Sequence, residues 1–96
     1  MIRSFGNQTA ADMFLEKTTR AAVCLPRNLW RVAQRKLKAL DVALRLDDLS
    51  VPAGNHLEPL RGDRQRRFSI RINDQYCVTF RWENGHAHEV RIEDYH

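Results

Sequence analysis

Leu29, Ala33, Leu37, Leu40 and Leu44 recur at helical spacing, while Arg31, Arg35, Lys38, Val42 and Arg45 fall on the opposite side of the same cylinder. With Pro26 standing where a first helical position is expected, this spacing predicts a long amphipathic helix that buries one face and shows arginines on the other. Upstream, Ile2 to Phe5 reads as a short strand. Thr9, with Asp12 three residues later, resembles a capping box that opens a short helix through Ala10, Met13, Phe14 and Lys17. Asp47 to Asn55, which contains Pro52 and Gly54, breaks the helical period and reads as a loop.

Beyond that loop the period falls to two. Leu57 to Leu60 forms a short strand that Pro59 confines to a sheet edge, and Arg61-Gly62-Asp63-Arg64 is turn-like. Phe68, Ile70 and Ile72 then alternate with Ser69 and Arg71. Tyr76, Val78, Phe80 and Trp82 alternate with Cys77, Thr79 and Arg81, and Val90 and Ile92 continue the pattern. This is an antiparallel meander.

Its register follows from the requirement that cross-strand partners share a face. A three-residue loop at Asn73, Asp74 and Gln75 pairs Ile72 with Tyr76, Ile70 with Val78 and Phe68 with Phe80 on the core side, leaving Arg71 opposite Cys77 and Ser69 opposite Thr79. The same logic at Glu83, Asn84 and Gly85, with Gly85 in the left-handed position, pairs Val78 with Val90 and Tyr76 with Ile92, and sets Arg91 beside Cys77. The outer sheet face is then a polar row of Ser69, Arg71, Cys77, Thr79, Glu89 and Arg91. The fold class is α+β: two N-terminal helices packed on one face of an antiparallel sheet, in β-α-α-β-β-β order, with the second sheet face left to bind.

Ninety-six residues suit one domain, read here as 1–96. Charge changes the picture through its distribution. Of 16 basic residues 13 are arginine, which favours bidentate contacts to phosphate. Arg20 to Arg45 holds seven basic residues and one acid, Arg61 to Arg71 five and one, and Glu83 to His96 four acids against Arg91. Arg31, Arg35, Lys38, Arg61, Arg64, Arg66 and Arg67 are the candidate contacts to a phosphate-bearing partner, with plain solubility as the alternative role. Trp30 and Trp82 read as packing or partner-contact residues rather than base-stacking platforms. His56, His86 and His88 have no ligand spacing, and no Cys/His spacing reads as a zinc site. The longest uncharged run, Leu49 to Leu57, cannot span a bilayer. Met1 to Phe5 opens no signal peptide, so the expected compartment is the cytoplasm, with Cys24 and Cys77 as reduced thiols.

Met1-Ile2-Arg3-Ser4-Phe5, Leu57-Glu58-Pro59-Leu60-Arg61-Gly62-Asp63-Arg64, Phe68-Ser69-Ile70-Arg71-Ile72-Asn73-Asp74-Gln75-Tyr76 and Glu93-Asp94-Tyr95-His96 occur in the order and spacing of a HigB-type toxin. Over nearly its whole length the chain resembles this host-inhibition-of-growth branch of the RelE/ParE superfamily. The resemblance implies a small α+β toxin that enters the ribosomal A site and cuts translated mRNA without metal or cofactor. It also implies a helix-turn-helix antitoxin of the HigA type, and contact with operator DNA only through that antitoxin.

Attack of a ribose 2′-hydroxyl on the adjacent phosphate needs a base, cations for the phosphorane and an acid for the leaving oxygen. By the resemblance, Asp94, Tyr95 and His96 match the tail that contributes to the family's active site, with His96 for proton transfer and Tyr95 for stacking or positioning. A neutral-range pKa suits histidine to this role. Glu58 stands before Pro-Leu where several relatives place histidine, and a carboxylate can serve as the base. Tyr76-Cys77 stands where Trp-Arg is common, which implies an attenuated toxin unless Arg71 and Arg91, flanking Cys77 on the same face, replace the missing cation. Two further classes stay open: a non-catalytic protein that binds its antitoxin and tunes the operator, and a ParE-like gyrase inhibitor.

Overall fold

The computed structural model describes residues 1–50, 55–60 and 66–94. Helix α1 (Gln8–Phe14) and helix α2 (Trp30–Val42) precede four strands, β1 (Glu58–Pro59), β2 (Arg67–Arg71), β3 (Tyr76–Glu83) and β4 (His86–Asp94). The strands form one antiparallel sheet in the order β1-β2-β3-β4. Ile2 and Phe5 bridge in parallel to Ala87 and Val90, so the N-terminal segment extends the sheet beyond β4. The α+β class, the helical layer on one face and the strand order agree with the hydrophobic pattern.

The apolar positions assemble into one cluster. Ala33, Leu37 and Leu40 of α2, Ala10 and Met13 of α1, and Ile70, Val78, Phe80, Ala87 and Val90 of the sheet are all fully buried within it. The predicted stripe fails only at its end. The helix stops at Val42 and Leu44 is 82% exposed, because Asp48 turns the chain by accepting from the Leu44 and Arg45 N–H groups at 3.0 Å. Pro26 precedes a 3-10 turn (Arg27–Leu29) rather than opening α2 directly. The predicted loop at Asp47 begins inside another 3-10 turn, Leu46–Ser50, and its part at 51–54, like the turn at 61–65, lies outside the described residues. Trp30 and Trp82 pack on the core as expected: Trp30 Nε1 donates to the Leu25 carbonyl at 2.8 Å and Trp82 meets Phe80 edge-on.

The cap of α1 is Asn7, not Thr9. Asn7 Oδ1 accepts from the Ala10 N–H at 3.1 Å, and Thr9 sits inside the helix with its hydroxyl donating to the Ala21 carbonyl. The amide of Asn7 also holds Ile92 of β4, donating to its carbonyl at 3.0 Å and accepting from its N–H at 3.4 Å. One side chain thus joins helix to sheet. Asn7→Ala is expected to cost about 2 kcal/mol, the upper end of the N-cap range, as a lowered urea midpoint.

Asp12, 3% exposed, accepts from Thr19 Oγ1 at 2.5 Å and from Gln8 Nε2 at 2.7 Å. The Thr19 hydroxyl and then Gln8 hold its carboxyl below the usual carboxylate pKa against the opposing effect of burial, and the Lys17 charge adds the least. Its stabilisation is therefore complete above the unfolded value near 4 and is lost as pH falls through the lower folded value. The urea midpoint should drop below about pH 4, and Asp12→Asn should flatten that drop while lowering the midpoint at pH 7; an unchanged acid limb would contradict this.

Candidate active site on the outer sheet face

The β2–β3 hairpin has the expected register, with Phe68 opposite Phe80, Ser69 opposite Thr79, Ile70 opposite Val78 and Arg71 opposite Cys77. Asn73 makes its loop, accepting from the Gln75 and Tyr76 N–H groups at 3.0 and 2.7 Å. The β3–β4 hairpin corrects the predicted register. Its turn has two residues, Asn84 and Gly85, both at positive φ (53° and 78°), and Glu83 pairs with His86. The register then shifts between Arg81 and Thr79, where Glu89 adopts a φ of 51° and bulges out of β4. Val78 consequently faces Ile92, Tyr76 faces Asp94, Cys77 faces Glu93 and Thr79 faces Arg91. Arg91 remains on the outer face but one row away from Cys77.

Three polar rows cross that face. Glu58, Ser69, Thr79 and Arg91 form a line through all four strands. Arg71, Cys77 and Glu93 form the row on one side of it, and Arg67, Arg81 and His88 the row on the other. The floor of this face is covered: Ser69, Cys77 and Thr79 are 2–3% exposed, below longer side chains. Thr79 donates its hydroxyl to Glu93, a residue that sequence reasoning passed over and that its parity with Arg91 would have placed here.

The four arginines of the face divide into two kinds. Arg67 and Arg81 are committed to neighbours. Arg81 pairs with Glu83 and with Glu89, its Nε 3.3 Å from the Glu89 carboxylate. Arg67, 9% exposed, donates to Thr79 Oγ1 at 3.4 Å and to the Glu89 carbonyl at 3.3 Å, with the Glu89 carboxylate 3.8 Å away. It is therefore turned onto the sheet, not out to solvent as an RNA-backbone contact requires. Arg71 reaches only the exposed Asp74, at 3.7 Å, and its Nε is buried without an acceptor. The Arg91 side chain has no hydrogen bond or ion pair among the described residues, and its Nε is buried as well. Buried donors are normally satisfied, yet the Nε groups of Arg67, Arg71 and Arg91 on this face are all buried without an acceptor; Arg67 spends its terminal nitrogen on Thr79 and the Glu89 carbonyl, so Arg71 and Arg91 are the two with most left to offer an anion.

The remaining candidates are dispersed. Glu58 is exposed at the β1 end of its row. Asp94, by its pairing with Tyr76, has the parity of the core side. It accepts from Gln75 Nε2 at 3.0 Å and lines a cleft of about 260 Å³ with Thr9, Cys24, Leu25, Tyr76 and Ile92. The sheet thus puts Asp94 on the face opposite to Glu58, Arg71 and Arg91. Arg31, Arg35 and Lys38 are exposed on α2, across the helical layer from the polar rows, and Lys38 lies 3.8 Å from Glu16. Arg66 is exposed. Arg61, Arg64, Tyr95 and His96 lie outside the described residues.

Burial, with the Arg3 guanidinium, the amino terminus and His88 adding repulsion, holds the His86 pKa below the usual histidine value. No group of His, Cys, Asp and Glu among the described residues has metal-binding geometry, and no disulfide joins exposed Cys24 to buried Cys77. No described helix is long and apolar enough to cross a membrane.

Comparison with known proteins gives this geometry a context. The sequence profile of RelE-like HigB toxins of type II toxin–antitoxin systems matches residues 3–96. The Endoribonuclease HigB of Proteus vulgaris is 31% identical over 96 residues, the full length of both chains. Toxin HigB-1 of Vibrio cholerae is 40% identical over 63 residues, 66% of each chain. An uncharacterised protein of Haemophilus influenzae is 36% identical over 69 residues, 72% of this chain and 68% of its own.

Proposed function

The chain belongs to the HigB-like family of RelE-fold toxins of type II toxin–antitoxin systems, and from that membership and its outer sheet face we propose that it is a ribosome-dependent endoribonuclease that cuts translated mRNA. The observation that carries this reading is one row holding Glu58 and Arg91, with Arg71 in the adjoining row and both arginine Nε donors lacking acceptors. Glu58 and Arg91 stand at opposite ends of that row, about 14 Å apart across the sheet backbone, so a phosphodiester lying across the face would meet the carboxylate from one side and the long arginine side chains from the other, as in-line attack requires.

In the step proposed, Glu58 takes the proton of the ribose 2′-hydroxyl, whose oxygen attacks the adjacent phosphorus. Arg71 and Arg91 stabilise the charge that develops on the non-bridging oxygens. The bond to the 5′-oxygen breaks, His96 supplies the proton to that leaving oxygen, and a 2′,3′-cyclic phosphate and a 5′-hydroxyl result. Tyr95 stacks on or positions a base and Asp94 orients the tail. Cys77 supplies no charge, so the reaction runs on Arg71, directly opposite it, and on Arg91. The step as written uses no metal or cofactor. Arg31, Arg35, Lys38, Arg61, Arg64 and Arg66 contact ribosomal RNA in the A site, adding affinity without choosing sequence.

Family membership implies an antitoxin partner. We assign that partner to the helix-turn-helix HigA type, through which alone this chain meets operator DNA. The test is cleavage of a defined mRNA on programmed ribosomes, with ribosome-free controls and the Cys77→Arg variant alongside. Cleavage by the chain as it stands, only with ribosomes present, is the expected result. Cleavage by Cys77→Arg alone would make this chain a disabled toxin that binds its antitoxin and tunes repression. Intact transcripts from both, with induced DNA damage signalling, would replace the nuclease with a gyrase inhibitor.

A further inference from the structure

We infer that Gly6, although it touches no substrate in this scheme, is the positioning residue for Arg91. Its missing side chain leaves the bed in which the Arg91 stem lies, and so decides where the guanidinium meets an anion. This rests on the reading of Arg91 as a phosphate cation.

The geometry is tight and cannot yield by moving the backbone. Gly6 donates its N–H to the Val90 carbonyl at 2.7 Å, and Asn7 holds both the N–H and the carbonyl of Ile92, so residue 91 is pinned on either side. A Cβ on residue 6 would stand 2.6 Å from Arg91 Cγ, 3.0 Å from Cδ and 2.4 Å from Nε. Cγ is the near end of the side chain, so withdrawing only the tip does not relieve the contact, and Arg91 must leave its rotamer. Gly6 itself is exposed and has no positive φ. Alanine therefore suits its backbone, and the effect of the substitution falls on Arg91.

The consequence for an anion follows from length. A rotamer change near the base of an arginine moves the guanidinium by several ångströms, whereas a misplacement of about 1 Å already costs on the order of 10²-fold in rate. In the present rotamer Nε is covered and has no partner. The terminal nitrogens are left to meet a phosphate above the Glu58–Ser69–Thr79–Arg91 row.

The experiment compares the intact chain with Gly6→Ala, Arg91→Ala and the double variant. Gly6→Ala is expected to cut mRNA on programmed ribosomes about 10²-fold more slowly, with its melting temperature unchanged or raised. In the Arg91→Ala background Gly6→Ala should add no further loss. The Arg91 Nε–H resonance of ¹⁵N-labelled protein, assigned by its disappearance in Arg91→Ala, should shift and exchange with solvent at least about tenfold faster in Gly6→Ala, as a covered donor becomes exposed. An unmoved, equally protected resonance overturns the inference whatever the activity. A fully additive double variant overturns it too. If instead the resonance moves while Arg91→Ala cuts normally, the failure lies in the role given to Arg91, and Gly6 is no positioning residue for this reaction.

Discussion

Replacing Arg91 with alanine is expected to slow mRNA cleavage on programmed ribosomes by about 10²- to 10³-fold, the effect of removing about 2.7–4 kcal/mol of transition-state stabilisation. The expectation comes from how charge is distributed over the outer face. Arg67 and Arg81 are engaged by Glu89, Thr79 and Glu83, and an arginine already neutralised by carboxylates has little to offer a phosphate. The Arg71–Asp74 pair joins a half-buried cation to a fully exposed carboxylate at 3.7 Å, a contact that water screens and that an incoming phosphate easily displaces. Arg91 has no such partner among the described residues.

The loss should therefore be specific to position. Arg81→Ala serves as the control: it breaks two ion pairs on the same face and should leave the cleavage rate within about threefold while lowering stability by no more than about 1 kcal/mol. Single-turnover rates separate the chemical step from ribosome binding, and a melting curve shows that Arg91→Ala still folds. An Arg91→Ala rate equal to that of the parent chain would remove the central cation from the proposed mechanism.

Phe80→Ala is expected to cost about 3–5 kcal/mol, a large share of the roughly 5–14 kcal/mol that a chain of this size possesses. Phe80 is fully buried on β3. Its ring centroid lies 6.1 Å from that of Phe68 on the neighbouring strand and 6.3 Å from that of Trp82, which it meets edge-on. It also sits where the β3–β4 register shifts, beside the bulge that sets the position of Arg91. Val42→Ala, by contrast, truncates a side chain that is 73% exposed on α2 and should change stability by less than about 0.5 kcal/mol. Urea titration followed by tryptophan fluorescence reads both. A Phe80→Ala midpoint close to that of the parent would show that the aromatic cluster is not where this core holds together.

The two hairpins show how far a sequence carries a register. In β2–β3 the alternation is unbroken from Phe68 to Phe80 around Asn73, a residue that makes its own turn, so one parity argument settles every pair. In β3–β4 parity does not carry across, because β4 is not continuous. The bulge at Glu89 places Ala87 and Val90, both buried, three residues apart. That odd spacing, together with Asn84-Gly85 as a two-residue turn, was the available signal. The correction is functional, since it moves Arg91 opposite Thr79 and brings Glu93 opposite Cys77.

The sequence alone determined the amphipathic helix, the α+β layering, the polarity of the outer face and the family, because each depends on local periodicity or on motifs carried along the chain. It also placed Glu58 on an edge strand through Pro59. Only the tertiary structure decided which arginines are committed, that Asp94 lies on the side of the sheet away from Glu58, and that Gly6 and Asn7 brace the strand carrying Arg91. Those outcomes depend on contacts between residues up to 85 positions apart, as from Asn7 to Ile92. Such contacts follow from chain closure and packing, for which no local pattern encodes a partner.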